Sequence, residues 1–245
     1  MQSIHQLNNC LSHPHNVRDF VISRNAAGVC CLMNGDLRNA TTSFLAALEN
    51  SKGLLRDCNG ARIPNLHPVN VPCTRGQHTF ATVEVGCCRM EAANESVYAV
   101  FNKCLVIPDR NSFDSILARN EDIIPCIFLY NVGLSLQIQG ARLESEPLIS
   151  RSRYAYDIAL TILKGMSEKA LGAEGLLLLL AVLNNLAALE SRRFNFDLAA
   201  RYGEFIRDLL EKESFAELLR DSIFDFFVLY LFLTPRMCQS AAPAA

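Results

Sequence analysis

Residues 25–48 read N-A-A-G-V-C-C-L-M-N-G-D-L-R-N-A-T-T-S-F-L-A-A-L. Around this stretch Val21, Ile22, Ala26, Val29 and Leu32 recur at three- and four-residue steps, the period of one helix face. Gly35–Asp36 interrupts the pattern, and Leu37, Ala40, Thr41, Phe44, Ala47 and Leu48 resume it. Two apolar-faced helices joined by so short a turn pack antiparallel. Gly28 and Ala40 are small, which lets the two axes approach closely. Residues 21–56 therefore predict a helix hairpin.

The same layout recurs twice within residues 113–235. Ile127, Leu129, Val132, Leu134, Leu136 and Ile138 form a first helix that Gly140 is expected to end. Tyr154, Ala155, Tyr156, Ile158, Ala159, Ile162 and Leu163 form its return, with Pro147 in the turn or at the first helical position. A third pair runs through Leu176, Leu183, Leu186, Ala187 and Leu189, turns at Ser191–Phe194, and returns through Leu198, Tyr202, Phe205, Ile206 and Leu209. Phe215 to Phe227 adds a capping element. Its end, Phe226 to Leu233, is apolar without a clear period and reads equally as helix or buried strand.

Superposed, the three units share one frame. A small residue (Gly28, Gly133, Ala187) sits on the first helix, with the turn position (Gly35, Gly140, Phe194) seven residues on. Ala40, Ser152 and Ala199 follow on the return helix, and four residues later come Phe44, Tyr156 and Gly203. The frame resembles the tetratricopeptide repeat, whose signature couples L-G on one helix to A-x3-F on the next. L-Y-N-V-G-L-S-L and L-N-N-L-A-A-L resemble first helices of that family, the latter especially those of kinesin light chains. The repeats are diverged: the small residues lie 105 and 54 apart, the second unit carries seven extra residues assigned to its turn, and Gly203 replaces an aromatic. The fold class expected from the resemblance is all-α, a tetratricopeptide-like solenoid of about three stacked antiparallel hairpins with a partly extended, irregular insert.

Between the first and second units lies that insert, residues 57–112, with four of the nine Pro and almost no helical period. Residues 57–78 read as poorly ordered. Phe80, Thr82–Val85 and Val97–Ile107 are rich in β-branched and aromatic residues, and predict a small hairpin or one extended strand lying on the helices. Residues 1–20 read as a loose lead-in, and residues 236–245 as a tail that frays.

The chain has 245 residues, 23 Lys plus Arg against 25 Asp plus Glu, and a formal net charge of −2. That balance supplies no general pull toward nucleic acid or anionic lipid. Met1 to Phe20 carries no apolar stretch of the kind a secretory leader needs. The longest apolar runs, Leu176–Leu183 and Phe226–Leu233, are each eight residues, against roughly 20 for a membrane-spanning helix. The expectation is an intracellular, cytoplasmic protein with reduced thiols, no membrane association and no nucleic-acid partner. The residue pattern specifies no oligomeric state.

Cys58, His67, Cys73, His78, Cys87 and Cys88 supply enough soft ligands for one zinc ion, but without paired spacing of two to four residues. All five His fall in segments read as loose, which suits neither a base nor a nucleophile held to catalytic tolerance. No phosphate loop, dinucleotide fingerprint, H-E-x-x-H or G-x-S-x-G motif occurs. The reading is a protein that is not an enzyme and holds no metal or cofactor.

Stacked hairpins build a concave surface from their first helices, which suits an extended peptide or partner protein. Asn131 and Asn185 stand two residues before the small residue of their units, and Ala26 is the matching place in the first. A carboxamide carries donors and an acceptor, so it can grip peptide backbone whatever the side chain. In the kinesin-light-chain-like repeats that this sequence resembles, such Asn residues hold cargo peptide. Asn184, Tyr130 and Asn25 project to nearby inner positions in the same frame. Val29, Leu134 and Ala188 stand where a clamp for carboxylate tails would place its Asn, so no such clamp is expected. The function expected is non-catalytic binding of a protein or peptide on the inner face. Its alternatives are a zinc- or thiol-dependent protein centred on the insert, or a structural subunit of a larger assembly.

Overall fold

The computed structural model describes residues 14–60, 81–85, 100–212, 215 and 224–227. It is mostly helical. In chain order come α1 (Pro14–Met33), α2 (Leu37–Gly60), β1 (Ala81–Glu84), β2 (Lys103–Val106), α3 (Arg110–Arg119), α4 (Ile123–Arg142), α5 (Glu146–Lys164), α6 (Glu168–Arg192) and α7 (Phe196–Glu211). Helices pack in the sequence α1 on α2, α2 on α4, α4 on α5, α5 on α6 and α6 on α7, with α4 also touching α6. Three helix pairs thus lie side by side, and α3 closes against α1 and α4.

The three pairs turn by the same device. Each linker has three residues, Asn34–Asp36, Leu143–Ser145 and Arg193–Asn195, and its middle residue has positive φ: Gly35 at 77°, Glu144 at 48° and Phe194 at 60°. In each, the third residue's N–H reaches back five positions to a helix carbonyl: Asp36 to Cys31 at 2.8 Å, Ser145 to Gly140 at 2.9 Å, Asn195 to Glu190 at 2.9 Å. This left-handed cap satisfies carbonyls that a helix end otherwise leaves open.

The crossings are equally alike. A Cβ built on Gly28 would lie 2.5 Å from the Phe44 ring, and one on Gly133 would lie 2.5 Å from the Tyr156 ring. Ring and glycine are interlocked in both pairs. The third pair replaces this with Ala187, fully buried.

Gly140 does not end its helix. α4 continues to Arg142, and the Gly140 backbone instead receives Ile149, whose side chain leaves no room for a Cβ. The seven residues assigned to the second turn are therefore in the helices. Glu144 follows Gly133 by 11 residues, where Gly35 follows Gly28 by seven, so four residues, about one helical turn, extend α4. The remaining three extend α5, between Glu144 and Tyr156. Pro147 stands in the first turn of α5, where its missing N–H costs nothing.

Other boundaries shift as well. The lead-in read as loose already contains α1 from Pro14, and α2 runs on to Gly60, because no Pro occurs before Pro64. At its far end the insert already forms α3 from Arg110. Asp109 caps α3 by accepting the Ser112 N–H at 2.8 Å. Phe226 and Phe227 are helical, and the rest of the apolar run to Leu233 lies outside the described residues, as do residues 61–80, 86–99 and 236–245.

α4 is buried on every side from Ile123 to Ile138. A helix covered on all sides in this way forms the middle of a core rather than its face. By length and composition alone α4 and α6 could each cross a bilayer, but 94% and 83% of their most apolar windows are covered by the other elements.

Candidate peptide-binding groove

β1 and β2 pair antiparallel, with Ala81 opposite Val106 and Glu84 opposite Lys103. Among the described residues, the outer edge of β2 meets no other strand. It lies along α1 and α4, where side-chain carboxamides take the place of a neighbouring strand.

Three first helices each contribute one Asn. From α6, the Asn185 Oδ1 accepts the Phe101 N–H at 2.8 Å, while its Nδ2 donates to the Phe101 carbonyl at 3.3 Å. From α4, the Asn131 Oδ1 accepts the Leu105 N–H at 3.0 Å and its Nδ2 donates to the Leu105 carbonyl at 2.8 Å. From α1, the Asn25 Oδ1 accepts the Ile107 N–H at 2.9 Å and its Nδ2 donates to the Leu105 carbonyl at 3.3 Å. Tyr130 shares its single hydroxyl proton between the carbonyls of Phe101 and Lys103, at 2.9 and 3.0 Å. Only odd-numbered residues are held, as the two-residue period of an extended chain requires. The alternate peptide groups face β1, where the Val85 N–H donates to the Asn102 carbonyl at 3.0 Å. With both edges occupied, β2 offers no open edge.

All three ladder Asn residues are fully buried. A primary amide taken out of water costs free energy unless each end is satisfied. Pairing it with a peptide group, which presents one donor and one acceptor, meets that requirement. Behind the ladder, Asn185 Nδ2 also donates to the Tyr156 hydroxyl at 3.1 Å, and that hydroxyl donates to Gln137 Oε1 at 2.9 Å. Burial drives the ionisation of both Tyr130 and Tyr156 far above the ordinary phenol range, so both act as neutral hydroxyls. Asn184 Nδ2 donates to Asn185 Oδ1 at 3.3 Å. It braces the ladder through Asn185.

The strand's side chains complete the site. Phe101, Cys104, Leu105 and Ile107 are fully buried. Phe101 packs edge-on against Phe226 and tilted against Phe227, with ring centroids 5.2 and 4.9 Å away.

The five residues singled out from the sequence therefore converge on one place. Asn25, Tyr130, Asn131 and Asn185 touch the extended segment, and Asn184 supports it. In the first unit the gripping residue is Asn25, and Ala26, the position matching Asn131 in the frame, is exposed. Tyr156 and Gln137 were missed as parts of the site. The sequence marks Tyr156 only as the aromatic filling the Gly133 crossing, and Gln137 carries no signal.

Elsewhere the chemistry is ion pairing. Glu190, buried on α6, meets Arg153 Nε at 3.0 Å and accepts from Asn195 Nδ2 at 2.9 Å. A cavity of about 170 Å³ between α3 and α6 is lined by Arg119 and Glu174, which pair at 2.9 Å. Burial holds the Cys126 thiol well above its ordinary range, in its unreactive protonated form. Among the described residues no three His, Cys, Asp or Glu side chains gather as metal ligands. Of the six Cys and His residues of the insert that could supply zinc ligands, His67, Cys73, His78, Cys87 and Cys88 lie outside the described residues. No family model, curated protein or solved structure matches this chain.

Proposed function

We propose that this chain is a non-catalytic protein-interaction module of diverged tetratricopeptide-like hairpins, and that its first helices form a groove for extended polypeptide. One observation carries the reading: three buried Asn residues from three separate first helices hold the peptide groups of Phe101, Leu105 and Ile107 on one edge of a single extended segment. Such a ladder reads main chain and leaves side-chain choice to the apolar pockets, as in other modes of strand addition. The segment seated there belongs to the chain itself. Its fit supplies the pattern by which a partner protein's segment is recognised.

The repeated turns, and the interlocking of Gly28 with Phe44 and Gly133 with Tyr156, support the repeat reading. The test compares partners captured by the wild-type chain and by an Asn131→Ala/Asn185→Ala variant, identified by mass spectrometry, with helical content measured on both. The proposal expects a defined set of partners lost from a variant that stays folded. An unchanged set would overturn it.

A further inference from the structure

The ladder holds its occupant almost entirely by peptide groups. Eight of the hydrogen-bond contacts described above join Asn25, Tyr130, Asn131 and Asn185 to main-chain N–H or C=O of residues 101–107. None of these contacts distinguishes the chain's own strand from a foreign one. Discrimination falls to four buried side chains: an aromatic at position 101, a small residue at 104, and aliphatics at 105 and 107. Asn102 and Lys103 are only half-buried and impose little. On its other edge the strand is held by β1, four residues long, and a two-stranded ribbon alone is marginal in water. What favours the resident strand is its attachment to α3, which begins at Arg110, an intramolecular advantage equivalent to an effective concentration on the order of millimolar.

From this we infer that the groove exchanges its own strand for an extended segment of a partner protein bearing an aromatic residue, a small residue three positions on, and aliphatic residues at positions four and six. The inference rests on the groove reading above and adds the sequence of the ligand and the means by which it gains entry. The resident strand acts as an internal competitor, and a partner segment binds to the extent that it outcompetes that attachment.

Two buried thiols make exchange measurable in the full chain. Cys104 lies on β2 and is fully buried, whereas Cys126 lies on α4 against α5, close to the Ala159 carbonyl. Strand release exposes Cys104 alone; global unfolding exposes both. The experiment adds a synthetic peptide of residues 100–108 carrying Cys104→Ser to the wild-type chain, and follows alkylation of each thiol by mass spectrometry under native conditions. The inference predicts at least a tenfold faster alkylation of Cys104 at saturating peptide, with Cys126 unchanged, and no effect from the same peptide carrying Leu105→Asp. Cys104 alkylated no faster with peptide than without, or only at the rate of Cys126, would overturn it. Binding that persists unweakened in the Asn131→Ala/Asn185→Ala chain would instead overturn the groove reading, so the two failures are distinct.

Discussion

Asn131 holds Leu105 by both ends of its peptide unit, accepting from the N–H at 3.0 Å and donating to the carbonyl at 2.8 Å. The two residues are 26 apart in sequence, one on the most buried helix and the other in a segment with no helical period. This contact joins the insert to the helix stack. Asn131→Ala leaves a buried N–H without its acceptor, at about 1–3 kcal/mol, and a carbonyl with only the longer Asn25 bond. The expected loss is about 3 kcal/mol in urea unfolding. Asn131→Asp should cost more at pH 7, because a carboxylate cannot donate to the Leu105 carbonyl and is itself buried as a charge.

Gly28 and Phe44 form the tightest crossing of the first pair. Gly28→Ala places a methyl group within 2.5 Å of the ring and should cost about 1–3 kcal/mol by overpacking. Combined with Phe44→Leu, the penalty should be smaller than the sum of the two single changes. A thermodynamic cycle reads this coupling directly. Strict additivity would mean that the ring does not press on Gly28.

Phe194 holds a left-handed φ of 60° at a turn where Gly35 does the same work, and its side chain is 76% exposed. A bulky L-residue there costs roughly 1–2 kcal/mol, partly offset because glycine loses more entropy on folding. Phe194→Gly should therefore stabilise by about 1 kcal/mol and raise the thermal midpoint. The converse change, Gly35→Ala, should lower it.

Asp109 caps α3 two residues beyond Ile107. Hydrogen bonds from Ser112 hold its carboxyl below the ordinary carboxylate range. Because the folded pKa is the lower one, its contribution is complete above the unfolded value near 4 and disappears as pH falls through the folded value. Asp109→Ala should cost about 1 kcal/mol at pH 7, the usual worth of a helix cap. The gap between variant and wild type should close below about pH 4. Thermal unfolding across pH 2–7 checks both magnitude and sign.

Much of this was legible in the residues, and the parts that were not have physical causes. The first hairpin was readable because Gly35 is a glycine where the chain needs positive φ. The second turn was misplaced because Glu144 does that work without the side-chain signature, while Gly140, the obvious breaker, was recruited for close packing against Ile149. The Asn positions followed from the repeat frame, with Asn25 one step out of register from Asn131. Val97–Ile107 read as part of a small hairpin or as one extended strand on the helices, yet nothing local to it indicated that its edge would meet those Asn residues. That pairing depends on folding α1, α4 and α6 together, and no window of sequence contains it.

The one-to-one matching of carboxamide oxygens to peptide N–H groups is the most direct test of the groove. Residue-resolved amide exchange should show Phe101, Leu105 and Ile107 protected in the wild-type chain. Asn185→Ala should release Phe101 first, Asn131→Ala Leu105, and Asn25→Ala Ile107, each with the helices still protected. Loss of protection spread evenly over the strand whichever Asn is replaced, or no loss at all, would contradict it.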